Sequence, residues 1–124
     1  MKITTMAAKL EIQERKEGAV TILNLVGSLD GHTFIQMESA MKALVDEGNK
    51  IFVIELPDLS YIASAGIGVF INVQQTVAGD GGGLILVNPS PTVREVFDIL
   101  GLQALFQIHD ETAPALEAAE RLGG

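Results

Sequence analysis

The chain has 124 residues, 16 of them acidic and 8 basic, so its formal net charge is −8, with 48% hydrophobic residues and no cysteine. This charge balance excludes a general affinity for nucleic acid phosphates or anionic membranes, and no local cluster of Lys and Arg reverses it. The missing cysteine removes thiol catalysis, cysteine-based zinc sites and disulfides, and fits a reducing cytoplasm.

At this length one domain is expected, residues 1–124, with 1–8 as a candidate for N-terminal disorder. That size suffices to bury about two-thirds of the unfolded surface without a metal or disulfide staple. The start of the chain has no apolar run of signal-peptide length, and the longest apolar stretches elsewhere are strand-sized.

Alternation at Leu10 and Ile12 predicts a half-exposed strand that turns at Lys16-Glu17-Gly18. A second strand, 19–26, would complete a hairpin, and Gly27-Ser28-Leu29-Asp30-Gly31 then breaks the pattern. From Thr33 the period changes. Phe34, Met37, Met41, Leu44 and Val45 recur at helical spacing, and Gly48-Asn49 ends that helix.

Residues 51–56 form a short, almost wholly apolar run, the kind of strand buried on both faces of a parallel sheet. A loop follows from Pro57 to about Ala63. Ser64 stands where a helix N-cap is wanted, ahead of a helix over 65–78. Gly79–Gly83 is a flexible exit, and 84–87 is another buried strand. Asn88-Pro89-Ser90-Pro91 opens a third helix that ends at Gly101. A last short strand within 105–108 and a helix begun at Asp110–Thr112 complete the chain. The expected fold class is α/β, a mixed and mainly parallel sheet of four to five strands with about four helices.

The unusual segment is Asp58-Leu59-Ser60-Tyr61-Ile62-Ala63-Ser64-Ala65-Gly66-Ile67-Gly68. Ser64 would present its hydroxyl beside the unpaired N–H groups of a helix start, where a phosphate can be accommodated. Gly66 and Gly68 sit in that first turn, where helix propensity favours Ala. They would admit a partner's backbone, or they would only allow packing on the sheet. Ser64 could equally be a simple cap, which is the commoner use of such a serine. Asp30 follows the second strand, so parallel pairing brings it to the same sheet edge, and an Asx turn at the first helix would also explain it.

Catalytic motifs are weak. Gly66-x-Gly68 lacks the third glycine of a dinucleotide fingerprint, and no glycine precedes Ser64 as in a nucleophile elbow. The order Ser64, Asp98, His109 mimics a hydrolase triad, but that fold needs a much longer chain. The two histidines and scattered carboxylates have no metal-ligand spacing. No enzyme activity, metal or cofactor is expected.

The stretches Gly27-Ser28-Leu29-Asp30 and Asp58 to Gly68, together with Val87-Asn88-Pro89-Ser90-Pro91-Thr92-Val93, resemble the signature segments of STAS-domain anti-sigma factor antagonists. The resemblance implies that Ser64 is phosphorylated by a partner kinase that is itself the anti-sigma factor. The unphosphorylated form would capture that kinase and release a sigma factor, and a phosphatase acting on phospho-Ser64 would reset the cycle. It also implies a partner-binding surface at Asp30, Asp58, Ser60, Ala63, Ser64, Ala65, Gly66 and Ile67, in the bacterial cytoplasm. Two positions depart from the family pattern: Ala63 stands where Asp is usual, and Ser28 where Glu is usual. They keep open the alternative of an unphosphorylated STAS scaffold, such as a stressosome-like or transport-associated subunit.

Overall fold

The computed structural model describes residues 9–122 and the backbone of residues 3–6. Seven strands form one mixed sheet in the order β1(Ile3–Met6), β2(Leu10–Glu17), β3(Val20–Leu29), β4(Ile51–Glu55), β6(Gly83–Val87) and β7(Gln107–His109). The remaining strand, β5(Leu59–Ile62), pairs with β3 beyond the end of β4. The β1–β2 and β2–β3 pairs are antiparallel, and the rest are parallel. Among the described residues four α-helices connect them: α1(Phe34–Asp46), α2(Ser64–Ala78), α3(Pro91–Leu100) and α4(Thr112–Glu120).

Strand alternation divides the apolar residues between two cores. Leu23, Leu25, Phe52, Ile54, Leu84 and Leu86 face α1, α2 and α3. Val20, Ile22, Ile51, Val53, Ile85 and Val87 face the opposite side, where α4 covers them with Ala115 and Ala119. This is why residues 51–54 and 83–87 read as continuous apolar runs: both sheet faces are buried. Met37, Met41 and Leu44 form the buried row of α1, as its period predicts.

The expected α/β class and the four helices stand, and the sheet is wider than the expected four to five strands. The two additional strands have four residues each. β1 joins as an edge strand within the segment expected to be disordered; residues 1–2 and 7–8 of that segment lie outside the described residues. β5 lies inside the expected loop, and its burial (inward at both ends, exposed at Ser60 and Tyr61) lacks the strict alternation that betrays a strand. Nor does Gly27 end β3. It sits at φ 107, and a Cβ there would lie 2.1 Å from the Lys9 carbonyl oxygen, so glycine lets the strand continue past the neighbouring backbone.

Candidate functional site

β3 and β5 run parallel, with Ser28 opposite Tyr61 and Leu29 opposite Ile62. Both therefore leave the sheet at the same edge, the first into Asp30 and α1, the second into Ala63 and α2. The Ala63 N–H donates to the Leu29 carbonyl at 2.9 Å, which extends the pairing by one residue. That bond keeps Ala63 extended, at φ −100 and ψ 167, and makes it the N-cap of α2. Its carbonyl accepts from Gly66 N at 3.0 Å and Ile67 N at 3.1 Å.

Ser64 is consequently the first helical residue and not the cap expected from the sequence. Its side chain is exposed, and among the described residues its hydroxyl has no hydrogen-bond partner. The start of α2 leaves the Ser64 and Ala65 N–H groups without helical acceptors, so the hydroxyl stands at the positive end of the helix dipole.

Asp30 is held in an Asx turn. Its Oδ1 accepts from His32 N at 2.8 Å and Thr33 N at 3.0 Å. These two backbone donors hold its carboxyl below the usual carboxylate range. Thr33, buried, donates from Oγ1 to the Ser28 carbonyl at 2.8 Å and accepts from Asp30 N at 2.8 Å. The carboxylate is thus ionised and fixed beside the edge that Ser64 occupies.

The loop before Ser64 is built from similar bonds. Asp58, exposed, accepts through its carbonyl from Gly27 N at 3.1 Å, and its side chain accepts from Asn24 Nδ2 at 3.4 Å. Ser60 donates to the Gly27 carbonyl at 2.9 Å, at the bulge where two β5 residues meet one β3 step. Ala63 and Ala65 are half-buried, whereas Gly66 and Ile67 are buried. A Cβ on Gly66 would lie 2.5 Å from Leu29 Cγ, so this glycine serves the packing of α2 on the sheet. Asp30 and Ser64 thus stand where β3 and β5 end, with Gly66 and Ile67 packed beneath, whereas Asp58 precedes the start of β5 and Ser60 is its second residue, so the structure does not bring these two to that edge.

Two further residues shape the site. Ser90 caps α3 and donates to the Leu59 carbonyl at 2.6 Å, tying α3 to β5. Its sequence signal was the Ser-Pro pair at a helix start. Tyr61, next to Ser60, is 49% exposed and offers the edge an aromatic ring. No periodicity marks it, because the bulge disrupts the alternation. The order Ser64, Asp98, His109 is not assembled. His109 ends β7, two strand positions from the β4–β5 column, roughly 10 Å away, and Asp98 on α3 pairs with Gln103. Among the described residues there is no group of three or more His, Asp or Glu able to hold a metal, and no helix long and apolar enough to cross a membrane.

Comparison with known proteins gives a consistent family. The STAS domain model matches residues 11–118. An anti-sigma F factor antagonist of Lysinibacillus sphaericus is 33% identical over 98 residues, covering 78% of this chain and 81% of that protein. An anti-sigma factor antagonist from Mycobacterium paratuberculosis has the same fold, with a TM-score of 0.83 at 21% identity, covering 94% of this chain and 99% of that one. SpoIIAA, a Bacillus cell fate determinant solved in its phosphorylated form, superposes with a TM-score of 0.64 at 23% identity, covering 95% and 98%.

Proposed function

The chain belongs to the STAS-domain anti-sigma factor antagonists, and on that premise we propose that it is a partner switch controlled by phosphorylation of Ser64. The unphosphorylated form binds an anti-sigma factor that is also a serine kinase and so frees a sigma factor. Phosphorylation at Ser64 ends the complex, and a phosphatase restores it. The kinase, its ATP and the sigma factor place this cycle in the bacterial cytoplasm.

One observation carries the reading: the Ser64 hydroxyl is exposed and unbonded at the start of α2, beside a segment in which Asp30, Thr33 and Ser60 are held by named partners. A hydroxyl that already capped a helix would have to give up that bond on modification, and Ser64 has none to give up. The phosphoserine would carry about −1.5 to −2 charges at neutral pH. Its attraction to its own helix start is worth about 0.3–1 kcal/mol. A partner carboxylate about 6 Å away would be repelled by roughly 3 kcal/mol per charge at an effective dielectric near 20. The local attraction leaves the fold intact, and repulsion at the interface weakens the complex.

Intact-mass spectrometry after incubation with ATP and candidate anti-sigma kinases of the same genome tests this reading. The expected result is one added phosphate, absent in Ser64→Ala. Stable binding without phosphate transfer would replace it with an unphosphorylated STAS scaffold, the role that Ala63 in place of the usual Asp would suit.

A further inference from the structure

Gly66 and Gly68 stand two residues apart in α2, and only the first has a reason inside the molecule. Gly66 is buried, and a Cβ there would collide with Leu29. Gly68 is half-buried, a Cβ there would meet no atom within 4 Å, and its φ is not in the left-handed region. Alanine would fit at Gly68 without strain and would favour the helix, since glycine is the poorest helix former after proline. The fold therefore carries an unfavourable residue that nothing among the described residues requires.

Its location suggests what does. Gly68 lies one helical turn beyond Ser64, on the same face and about 6 Å along the axis. The adjoining row of Ala65, Val69 and Val73 leads into a groove of about 240 Å³ between α1 and α2. Val45, Val69 and Val73 give the groove its apolar wall. At its rim the charges of Lys42 and Asp46 cancel in a 2.9 Å pair, which leaves the exposed carboxylate of Glu38.

We propose that Gly68 is a contact position, where the main chain of the partner lies directly against α2 and sends an apolar side chain into the α1–α2 groove. The inference rests on the partner-switch reading and deepens it. The occupant is a segment of the anti-sigma factor that Ser64 controls. Its anchor is aliphatic, and a Lys or Arg beside the anchor meets Glu38. Bare backbone at Gly68 lets that segment pass close to Ser64, so a phosphate there meets the bound chain directly.

Calorimetric titration of a purified anti-sigma factor of the same genome into the unphosphorylated protein tests the inference. Wild type, Gly68→Ala, Gly68→Leu and Glu117→Ala, a control on the opposite face, are compared, each with a thermal melt. Gly68→Ala is expected to melt at or above the wild-type temperature and to bind about tenfold more weakly. Gly68→Leu is expected to bind more weakly still, and the control to match wild type. Equal affinity of wild type and both Gly68 variants would overturn the inference and leave the partner-switch reading intact. A lower melting temperature for Gly68→Ala would also overturn it, by giving the glycine an internal purpose. If the wild type itself bound no anti-sigma factor, the partner-switch reading would fall, and this inference with it.

Discussion

Two corners of the same sheet edge treat their polar groups differently. At the end of β4, Arg15 donates two 2.8 Å bonds to Glu55, and Thr112 donates a third at 2.7 Å. Glu55 is only 12% exposed and joins β2, β4 and the start of α4. At the ends of β3 and β5 the frame is bonded as closely, through Asp30, Thr33 and Ala63, yet the Ser64 hydroxyl beside it is left out. The first corner holds the fold together. The second is a rigid mount for a group that points outward. A polar side chain with every bond made is structural by default, and an exposed, unbonded one on a fixed frame is available to a partner.

The comparison predicts graded effects. The largest belongs to the frame: Gly66→Val should lose about 2–3 kcal/mol in urea unfolding, because its side chain enters the space of the buried Leu29. An unchanged midpoint would mean that the mount is soft. Glu55→Ala should lose about 1–2 kcal/mol, since it strips Arg15 and Thr112 of their acceptor. It should leave partner binding intact, and a binding defect would blur the two corners.

Asp30→Ala should lower the melting temperature at pH 7 by a smaller margin. The Asp30 carboxyl titrates below its unfolded value, so its contribution is complete above about pH 4 and fades as the pH falls through the folded value. Melts of the two proteins should therefore converge in acid, and a constant gap would assign the effect to something other than the charge. The smallest effect is on Ser64→Ala, whose stability should match wild type within about 0.5 kcal/mol. A larger loss would show that the hydroxyl serves the fold after all.

Much of this was legible in the sequence because burial leaves a period. The helices at Phe34, Ser64, Pro91 and Thr112 and the doubly buried strands at Ile51 and Gly83 announced themselves by spacing. The segment Asp58 to Gly68 stood out for its two glycines and its serines, and it is the segment that forms the edge. Less visible were features that depend on distant backbone. The N-cap moved from Ser64 to Ala63 because Leu29, on another strand, holds the Ala63 N–H. The strand at Leu59 escaped notice because a bulge opposite Gly27 spoils its alternation. The difference between Gly66 and Gly68 is equally invisible in one dimension, since only packing shows which of them meets Leu29.

The central claim concerns Ser64 and its partner, and it is tested most directly by measuring the affinity of an anti-sigma factor of the same genome for both forms of this protein. Repulsion of roughly 3 kcal/mol per phosphate charge, with the helix-start attraction common to the free and bound protein, predicts that the Ser64-phosphorylated form binds at least about a hundredfold more weakly, with an unchanged circular dichroism spectrum. Equal affinity of the two forms would contradict the account.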